Sequence, residues 1–288
     1  MPIAIMLLPC FALLAVFVLV PLGRGIQLSV HSWDGVSPTM DPVGLGNFAY
    51  VWTDLRFLQS LGRTLVWWVM HLFLAVGGAL FLAALINEIR WPRARTTFRS
   101  LAFLPNVLAL SVVGVIWGQI FHPSIGLLNE VLGVVGLEAL GRAWLGDQAL
   151  ALGAVGVASA WQAFGFYLVI LLAGMQTIDA TLYQSAMLDG AGSWQRFRHI
   201  TLPSLYNTMS LVLVLAFVNA LKGFGTVWAM TGGGPSNATE LAAVYVWRQA
   251  FQSNDVGTAS AAGLSIAVIA IVVTFGTTWW RDRAAERR

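Results

Sequence analysis

The chain has 288 residues, 58% of them hydrophobic and 10% charged, with a formal net charge of +3 at pH 7. An average soluble domain is about 25% charged, and only a chain dissolved in lipid can leave so much apolar surface unburied. Composition therefore excludes a soluble globular protein, and the single cysteine, Cys10, excludes an intrachain disulfide or a cysteine metal cluster.

A bilayer's hydrocarbon core takes about 20 apolar residues as a helix. Six such runs succeed one another, 3–22, 65–86, 101–121, 149–175, 204–230 and 259–280. They predict an all-α, polytopic membrane protein, one transmembrane domain over residues 1–288 with six spanning helices. The first run lacks a basic leader and exceeds the roughly 7–15 residues of a signal-peptide core, so it reads as an uncleaved span with Cys10 as buried filler. Residues 23–62 come next, polar and rich in turn formers around "HSWDGVSPTMDPVG". The 87–100 loop, "NEIRWPRARTTFRS", carries Arg90, Arg93, Arg95 and Arg99. Residues 122–148 hold Glu130, Glu138 and Asp147, and residues 231–258 open on "TGGGPSN", a cluster that must be irregular. The tail "RDRAAERR" adds Arg281, Arg283, Arg287 and Arg288, and the 176–203 loop adds Arg196 and Arg198. Basic loops resist translocation. Ten basic residues on one side, against Arg24, Arg56, Arg63, Arg142 and Arg248 on the other, place both termini and the 87–100 and 176–203 loops in the cytoplasm. Trp91, Trp144, Trp228, Trp279 and Trp280 near span ends suit the interfacial belt.

Little in the chain can do bond chemistry. A phosphate-binding loop needs Gly-Lys-[Ser/Thr], and the one lysine, Lys222, comes after Leu221. If ATP drives this protein, another chain binds it. Ion-coupled carriers place acids or bases inside their spans, yet only His71 and Lys222 interrupt these six. His31, His71, His122 and His199 show no metal-ligand spacing, and no metal site or nucleic-acid partner is expected. Helical spacing puts Asn219 and Lys222 on one face, with Trp228 offset from it. Two readings stay open for Lys222: a polar lining for a solute passage, or a lysine that snorkels to the interface or meets a partner helix.

The 176–203 loop interrupts the apolar pattern with "DATLYQSAMLDGAGSWQRFRHITLP". Tyr183, Ala186, Met187 and Gly190 are spaced i, i+3, i+4, i+7 and give one face of apolar and small residues. Gly190 lets the chain turn, Asp189 is placed to cap the segment after it, and Trp194, Phe197 and Ile200 re-enter an apolar surface. Pro203 suits the first turn of the next span, where its missing N–H costs nothing. The pattern predicts a docking element on the cytoplasmic face, in preference to a loop lying passively on the membrane.

This segment resembles the characteristic cytoplasmic loop in the membrane subunits of bacterial binding-protein-dependent ABC importers. Their pattern of Glu-Ala-Ala, three residues, Gly, nine residues, Ile, one residue, Leu-Pro falls here on Gln184-Ser185-Ala186, Gly190, Ile200 and Leu202-Pro203, with every spacing kept. Gln184 and Ser185 depart from it, and an ion pair made by the missing carboxylate is lost with them. "LKGFGTVWAMTGGGPSN" is similar to the end of the fifth helix and the adjoining outer loop of maltose- and glycerol-phosphate-type permeases, and "VGLGNFAYVW" to their stretch after the first helix.

The resemblance implies an alternating-access importer in the bacterial inner membrane. Its partners would be a second, non-identical permease subunit, two ATP-binding subunits holding ATP and magnesium, and an extracytoplasmic solute-binding protein. The chain itself would have no cofactor and no enzymatic activity. The element at 183–197 would be the coupling helix, with Asp189 and Gly190 fixing its shape. Gly232, Gly233, Gly234 and Pro235 would meet the binding protein. The solute would be a sugar or oligosaccharide, with Asn219, Lys222, Phe224, Trp228 and Trp161 along its path. The alternatives are a polyol phosphate such as glycerol phosphate, an ion-coupled carrier or a membrane enzyme.

Overall fold

A computed structural model describes residues 2–89 and 91–285. Arg90, Arg287 and Arg288 of the orientation count lie outside the described residues, as do the side chains of Trp280 and Arg281. Among the described residues, four helices are long and apolar enough to cross a bilayer: Leu7–Ser29, Leu55–Glu88, Ala151–Gln176 and Val256–Trp279. Two more candidates are bent pairs, Pro92–Val107 with Leu110–Ile120 at 97° and Ser193–Ser204 with Tyr206–Leu221 at 71°. These six segments overlap the six apolar runs and give spans one to six in chain order, with Ser193–Ser204 lying in the 176–203 loop that leads into the fifth.

Three spans depart from the straight helices expected. The second has 34 residues, about 50 Å at about 1.5 Å per residue, so it projects well beyond a hydrocarbon core. The third breaks at Leu108 and Ala109, which are both extended, one turn after Pro105. The fifth, expected unbroken over 204–230, bends at Leu205 and stops at Leu221, and a separate short helix, Gly225–Thr231, comes after it. No residue in the most apolar 18-residue window of Leu7–Ser29 is buried, and Cys10, expected as buried filler, is exposed.

Contacts gather into two units, Met1–Gly62 with Ala242–Val272, and Arg63–Leu241 with Val273–Arg288. In the first, Val51, Phe57, Tyr245, Ala261 and Ala262 form the core. Asp54 opens the second span by accepting the Arg56 N–H at 2.9 Å, and it also accepts the Tyr245 hydroxyl at 2.6 Å. Burial and that carboxylate push the Tyr245 phenol well above the ordinary range. A two-residue hairpin pairs His31–Ser32 with Asp41–Pro42. At its head the Asp34 carboxylate accepts the Ser37 hydroxyl at 2.6 Å and the Ser37 and Val36 N–H groups at 2.7 and 2.9 Å.

In the second unit the fourth span is the spine. It carries Tyr167, Leu168, Leu171, Leu172 and Met175 into the core, against Ala75, Ala79, Ala83 and Ile86 of the second span. Its small residues allow close crossing, as expected where helices meet in lipid. A Cβ on Gly165 would strike the Ala102 carbonyl and the Phe103 backbone, and one on Gly174 would sit 2.5 Å from Thr208 Oγ1.

The Asp34 turn makes a prediction about acid. Its three accepted bonds, the Ser37 hydroxyl foremost, hold its pKa down from 3.8 to about 2. A depressed carboxylate contributes stability fully above its unfolded value and loses it as pH falls through the folded one. Amide protection at Val36 and Ser37 should therefore be intact at neutral pH and fall as pH drops from 3.8 through about 2. Hydrogen exchange read at those two amides checks this, and Asp34→Ala should remove the protection at every pH.

Candidate functional site

The two broken spans of the second unit lead to one cavity of about 450 Å³. Asn106 and Leu110 flank the break in the third span, and Asn219, Lys222, Phe224 and Gly225 flank the break in the fifth; all of them line it. Trp67 and His71 from the second span, and Ser159, Phe166 and Tyr167 from the fourth, complete the wall. The half-helices Leu110–Ile120 and Gly225–Thr231 touch where Gly114 faces Ala229 and Gly225 faces Leu110; a Cβ at Gly114 would lie 2.7 Å from that of Ala229. Glycine at 114 and 225 is what lets two irregular chain segments come this close.

A broken helix frees backbone groups that lipid cannot bond. Gln162, buried, supplies the answer for the third span by donating its Nε2 to the Leu108 carbonyl at 2.8 Å. Asn106 returns a weaker bond, its Nδ2 donating to the Gln162 carbonyl at 3.4 Å. His71 is fixed twice. Its Nδ1 lies 3.0 Å from the Trp67 carbonyl, which can only accept, so Nδ1 carries hydrogen. In a neutral ring Nε2 then accepts from the Ser159 hydroxyl at 3.1 Å, which leaves the Ser159 oxygen as an acceptor at the cavity wall. Lys222 is the one Lys or Arg in the lining, and no Asp or Glu lines it.

The sequence-predicted pathway residues divide. Asn219, Lys222 and Phe224 line the cavity. Lys222 caps the helix Tyr206–Leu221, its N–H still bonded to the Val218 carbonyl at 3.3 Å, so it shares the last turn with Asn219; the register does not continue to Trp228, which lies in the separate helix Gly225–Thr231. Trp228 lies outside the lining and stacks on Phe224, with centroids 5.4 Å apart and planes 14° apart. Trp161 also lies outside it, edge-on to Trp117 at 5.8 Å. Trp67, Asn106 and Ser159 escape the sequence pattern. Asn106 beside Pro105 is the one available sign, since proline inside an apolar run warns of a break.

The 176–203 loop is a helix, a turn and a second helix. The first helix is Ala180–Leu188, three residues earlier than expected at its start and ending well short of 197. Asp179 caps it, accepting the Thr181 N–H at 2.9 Å, and that bond holds the Asp179 carboxyl below its ordinary range. Asp189 ends this helix and does not cap the next, where Gln195 Oε1 accepts the Gly192 N–H at 2.8 Å instead. Gly190 has φ +77, which a side chain tolerates poorly, while the space where a Cβ would stand is open. Tyr183 and Ala186 are half-buried, and the Tyr183 hydroxyl meets Thr201 at 2.8 Å, so the face expected to dock is turned partly inward. Gln184, Ser185 and Met187 face outward, together with Leu182 and Leu188, at 49% and 89% exposure. Ile200 is half-buried, Leu202 exposed, and Pro203 sits in the last turn before the bend at Leu205.

The 231–240 segment is irregular and tightly bonded. Gly232 and Gly233 have φ +57 and +91, and the Gly234–Pro235 peptide is cis. The Thr239 hydroxyl donates to the Gly234 carbonyl at 2.7 Å and meets Thr231 at 2.7 Å, so the loop is clasped from within.

A helical membrane chain with broken spans around a cavity and an amphipathic hairpin between two spans defines a membrane-transport subunit. The family described as "Binding-protein-dependent transport system inner membrane component" matches over residues 75–287, and the chain belongs to it. It is 32% identical to the diacetylchitobiose uptake system permease protein NgcF of Streptomyces coelicolor, over 91% of this chain and 76% of that one. It is 34% identical to the sn-glycerol-3-phosphate transport system permease protein UgpA of Brucella abortus, over 98% and 94%. Its fold matches a crystal structure of a bacterial ABC transporter involved in the import of the acidic polysaccharide alginate, with TM-score 0.84 and 25% identity over 98% and 95% of the two chains. The protein is thus an inner-membrane permease subunit of an ABC importer, working with a solute-binding protein.

The break in the third span yields a prediction. Gln162→Leu keeps the side chain's approximate size and removes the donor that the Leu108 carbonyl has from the fourth span. Leu108 is half-buried, and leaving an acceptor unpaired costs up to about 1–3 kcal/mol where water does not reach it. The purified subunit should insert normally and melt at lower temperature, with faster hydrogen exchange over residues 106–113. An unchanged melt with unchanged exchange would mean another group bonds that carbonyl.

Proposed function

We propose that the cavity is the solute path of a sugar or short-oligosaccharide importer. The carrying observation is the convergence of two broken spans on a chamber walled by aromatic faces (Trp67, Phe166, Phe224) and neutral hydrogen-bonding groups (Asn106, Ser159, Tyr167, Asn219). Sugar rings offer two things to a protein, C–H faces that lie on aromatic rings and hydroxyls that both donate and accept. The diacetylchitobiose permease among the relatives supports the same class.

ATP and magnesium belong, on this reading, to two partner subunits, one of which receives the helix Ala180–Leu188. The outward Leu182 and Leu188 give that helix an apolar tip, and Asp179 and Gly190 define where it starts and stops. Both termini lie in the cytoplasm, as the basic loops require. The loop Gly232–Pro235 meets the binding protein: its internal clasp makes it a fixed shape that costs little ordering on contact. ATP-bound partner subunits shift the permease only by their differential affinity for its two states.

Glycerol phosphate or another polyol phosphate is a second reading, favoured by Lys222 as a cation in the lining and by the glycerol-phosphate relative. Lys222→Met separates the two. A phosphate solute should lose about tenfold or more in apparent affinity, since tenfold is about 1.4 kcal/mol and a charge-assisted bond exceeds it. A neutral sugar held by the chamber's amides and hydroxyls should lose less, about fivefold or below, the worth of one ordinary hydrogen bond of about 1 kcal/mol. The measurement is uptake and ATP hydrolysis by the assembled importer across a panel of sugars and glycerol phosphate. In the same assay Gly190→Glu should leave the chain inserted while uptake is lost; unchanged uptake would refute docking through this hairpin.

A further inference from the structure

We propose that Glu88 and Arg196 form the link through which the docking hairpin moves the second span. This rests on the importer reading and adds a transmission route to it. Glu88 is the last residue of the helix Leu55–Glu88, and Arg196 stands in the first turn after the hairpin's bend. Arg196 Nη2 donates to Glu88 Oε2 at 2.8 Å, Ser193 Oγ donates to the same oxygen at 3.3 Å, and Arg196 Nη2 lies 3.1 Å from Ser193 Oγ. The three groups close a triangle on one carboxylate oxygen. Arg196 is only 12% exposed against 46% for Glu88, so the guanidinium is held in place and the carboxylate comes to it.

The hairpin is joined covalently to the fourth and fifth spans, but to the second it is joined only by side chains. A groove of about 170 Å³ lies between Phe81, Ala84 and Leu85 of the second span and Trp194 and Phe197 of the hairpin. Apolar packing is therefore incomplete there, and the polar triangle bridges the gap. The neighbouring Arg95 is engaged elsewhere, donating to Asn87 at 3.4 Å. Within the hairpin, the Tyr183 hydroxyl meets Thr201 at 2.8 Å and ties the first helix to the second. On the other side, the second span runs from Glu88 back to His71 and Trp67 in the cavity wall, about 17 residues or about 25 Å for the nearer one. Hairpin, carboxylate and cavity wall thus form one contiguous chain of contacts, with the ion pair as its non-covalent joint.

The test uses the importer assembled with its partner subunits in proteoliposomes, with hydrolysis and uptake measured on the same vesicles. Glu88→Gln and Arg196→Gln should each keep assembly and hydrolysis while uptake per ATP falls at least about fivefold, the low end of ordinary coupling between sites. The double variant Glu88→Arg with Arg196→Glu should recover most of the loss, which two residues acting independently of each other would not produce. If the double variant does not assemble, Glu88→Cys with Arg196→Cys in a Cys10→Ser background replaces it, joined by a bifunctional thiol reagent whose spacer matches the two lost side chains. Closing that cross-link should then restore uptake per ATP to the pair, and failure to do so would overturn the proposal. Unchanged uptake per ATP in both single variants overturns it, as does equal loss of hydrolysis and uptake, which would make the pair part of docking itself. Gly190→Glu run alongside separates the two levels. If it uncouples while Glu88→Gln does not, only the transmission route fails; if it too has no effect, docking and transmission fail together.

Discussion

A helix interrupted inside a bilayer must find protein partners for the backbone groups it releases, because lipid offers none. That constraint organises the second unit of this chain. The third span breaks at Leu108–Ala109, and the freed carbonyl is bonded by Gln162 of the fourth span. A glutamine reaching sideways fixes where the two spans cross, and Gly165 lets them cross closely enough for the bond to form. The break can exist only because the fourth span is there, and the half-helix Leu110–Ile120 takes its direction from it. Irregular backbone at membrane depth belongs where it lines a cavity, and here two irregular stretches line the same one.

The single lysine obeys the same constraint. An ammonium in the middle of a lipid-facing helix is expensive and is normally turned toward a cavity or the interface. Here the helix Tyr206–Leu221 stops just before Lys222, and the residue sits where the chain turns at the cavity. The two sequence readings of Lys222, lining and snorkelling, therefore meet: the flexible stem leaves a helix end and the head has a polar chamber beside it. Phe224 and Trp228 then restart the chain as a stacked pair, so the break is bounded by aromatic packing on one side and an amide, Asn219, on the other.

Sequence patterning exposes the six spans because apolar length is an additive property: any run of about 20 residues reports itself whatever it packs against. It exposes the hairpin because Gly190 and Pro203 punctuate a polar stretch, and a resemblance to a known loop sharpens that reading. It does not expose the breaks. Pro105 and the Lys222-Gly223 pair are local warnings, but the residues at the first break itself are Leu-Ala, and propensity alone does not say that a helix ends at either place. The partners that stabilise the breaks are distant in sequence, Gln162 being 54 positions from Leu108. Residue type alone assigns Trp161 to the pathway, and its place on the helix puts it against Trp117 instead. The face expected to dock is turned partly inward for a related reason. Periodicity finds a helix's apolar stripe but not what the stripe meets, and here Tyr183 is used to brace the hairpin against Thr201.

That use of Tyr183 bears on how the proposed docking helix works without a carboxylate at position 184. Gln184 and Ser185 are exposed and uncharged, so neither can form an ion pair with a partner. What the helix presents is an apolar tip at Leu188 on a frame stiffened by the Asp179 cap, the Gly190 turn and the Tyr183 brace. A rigid apolar knob gains affinity from buried area with little ordering cost, whereas an exposed ion pair adds little and is screened by salt. Shape can therefore substitute for charge in holding the hairpin to its partner, provided the frame does not flex. The same stiffness is what a lever requires, since a hairpin that bent at Gly190 would absorb a partner's movement before any of it reached the spans.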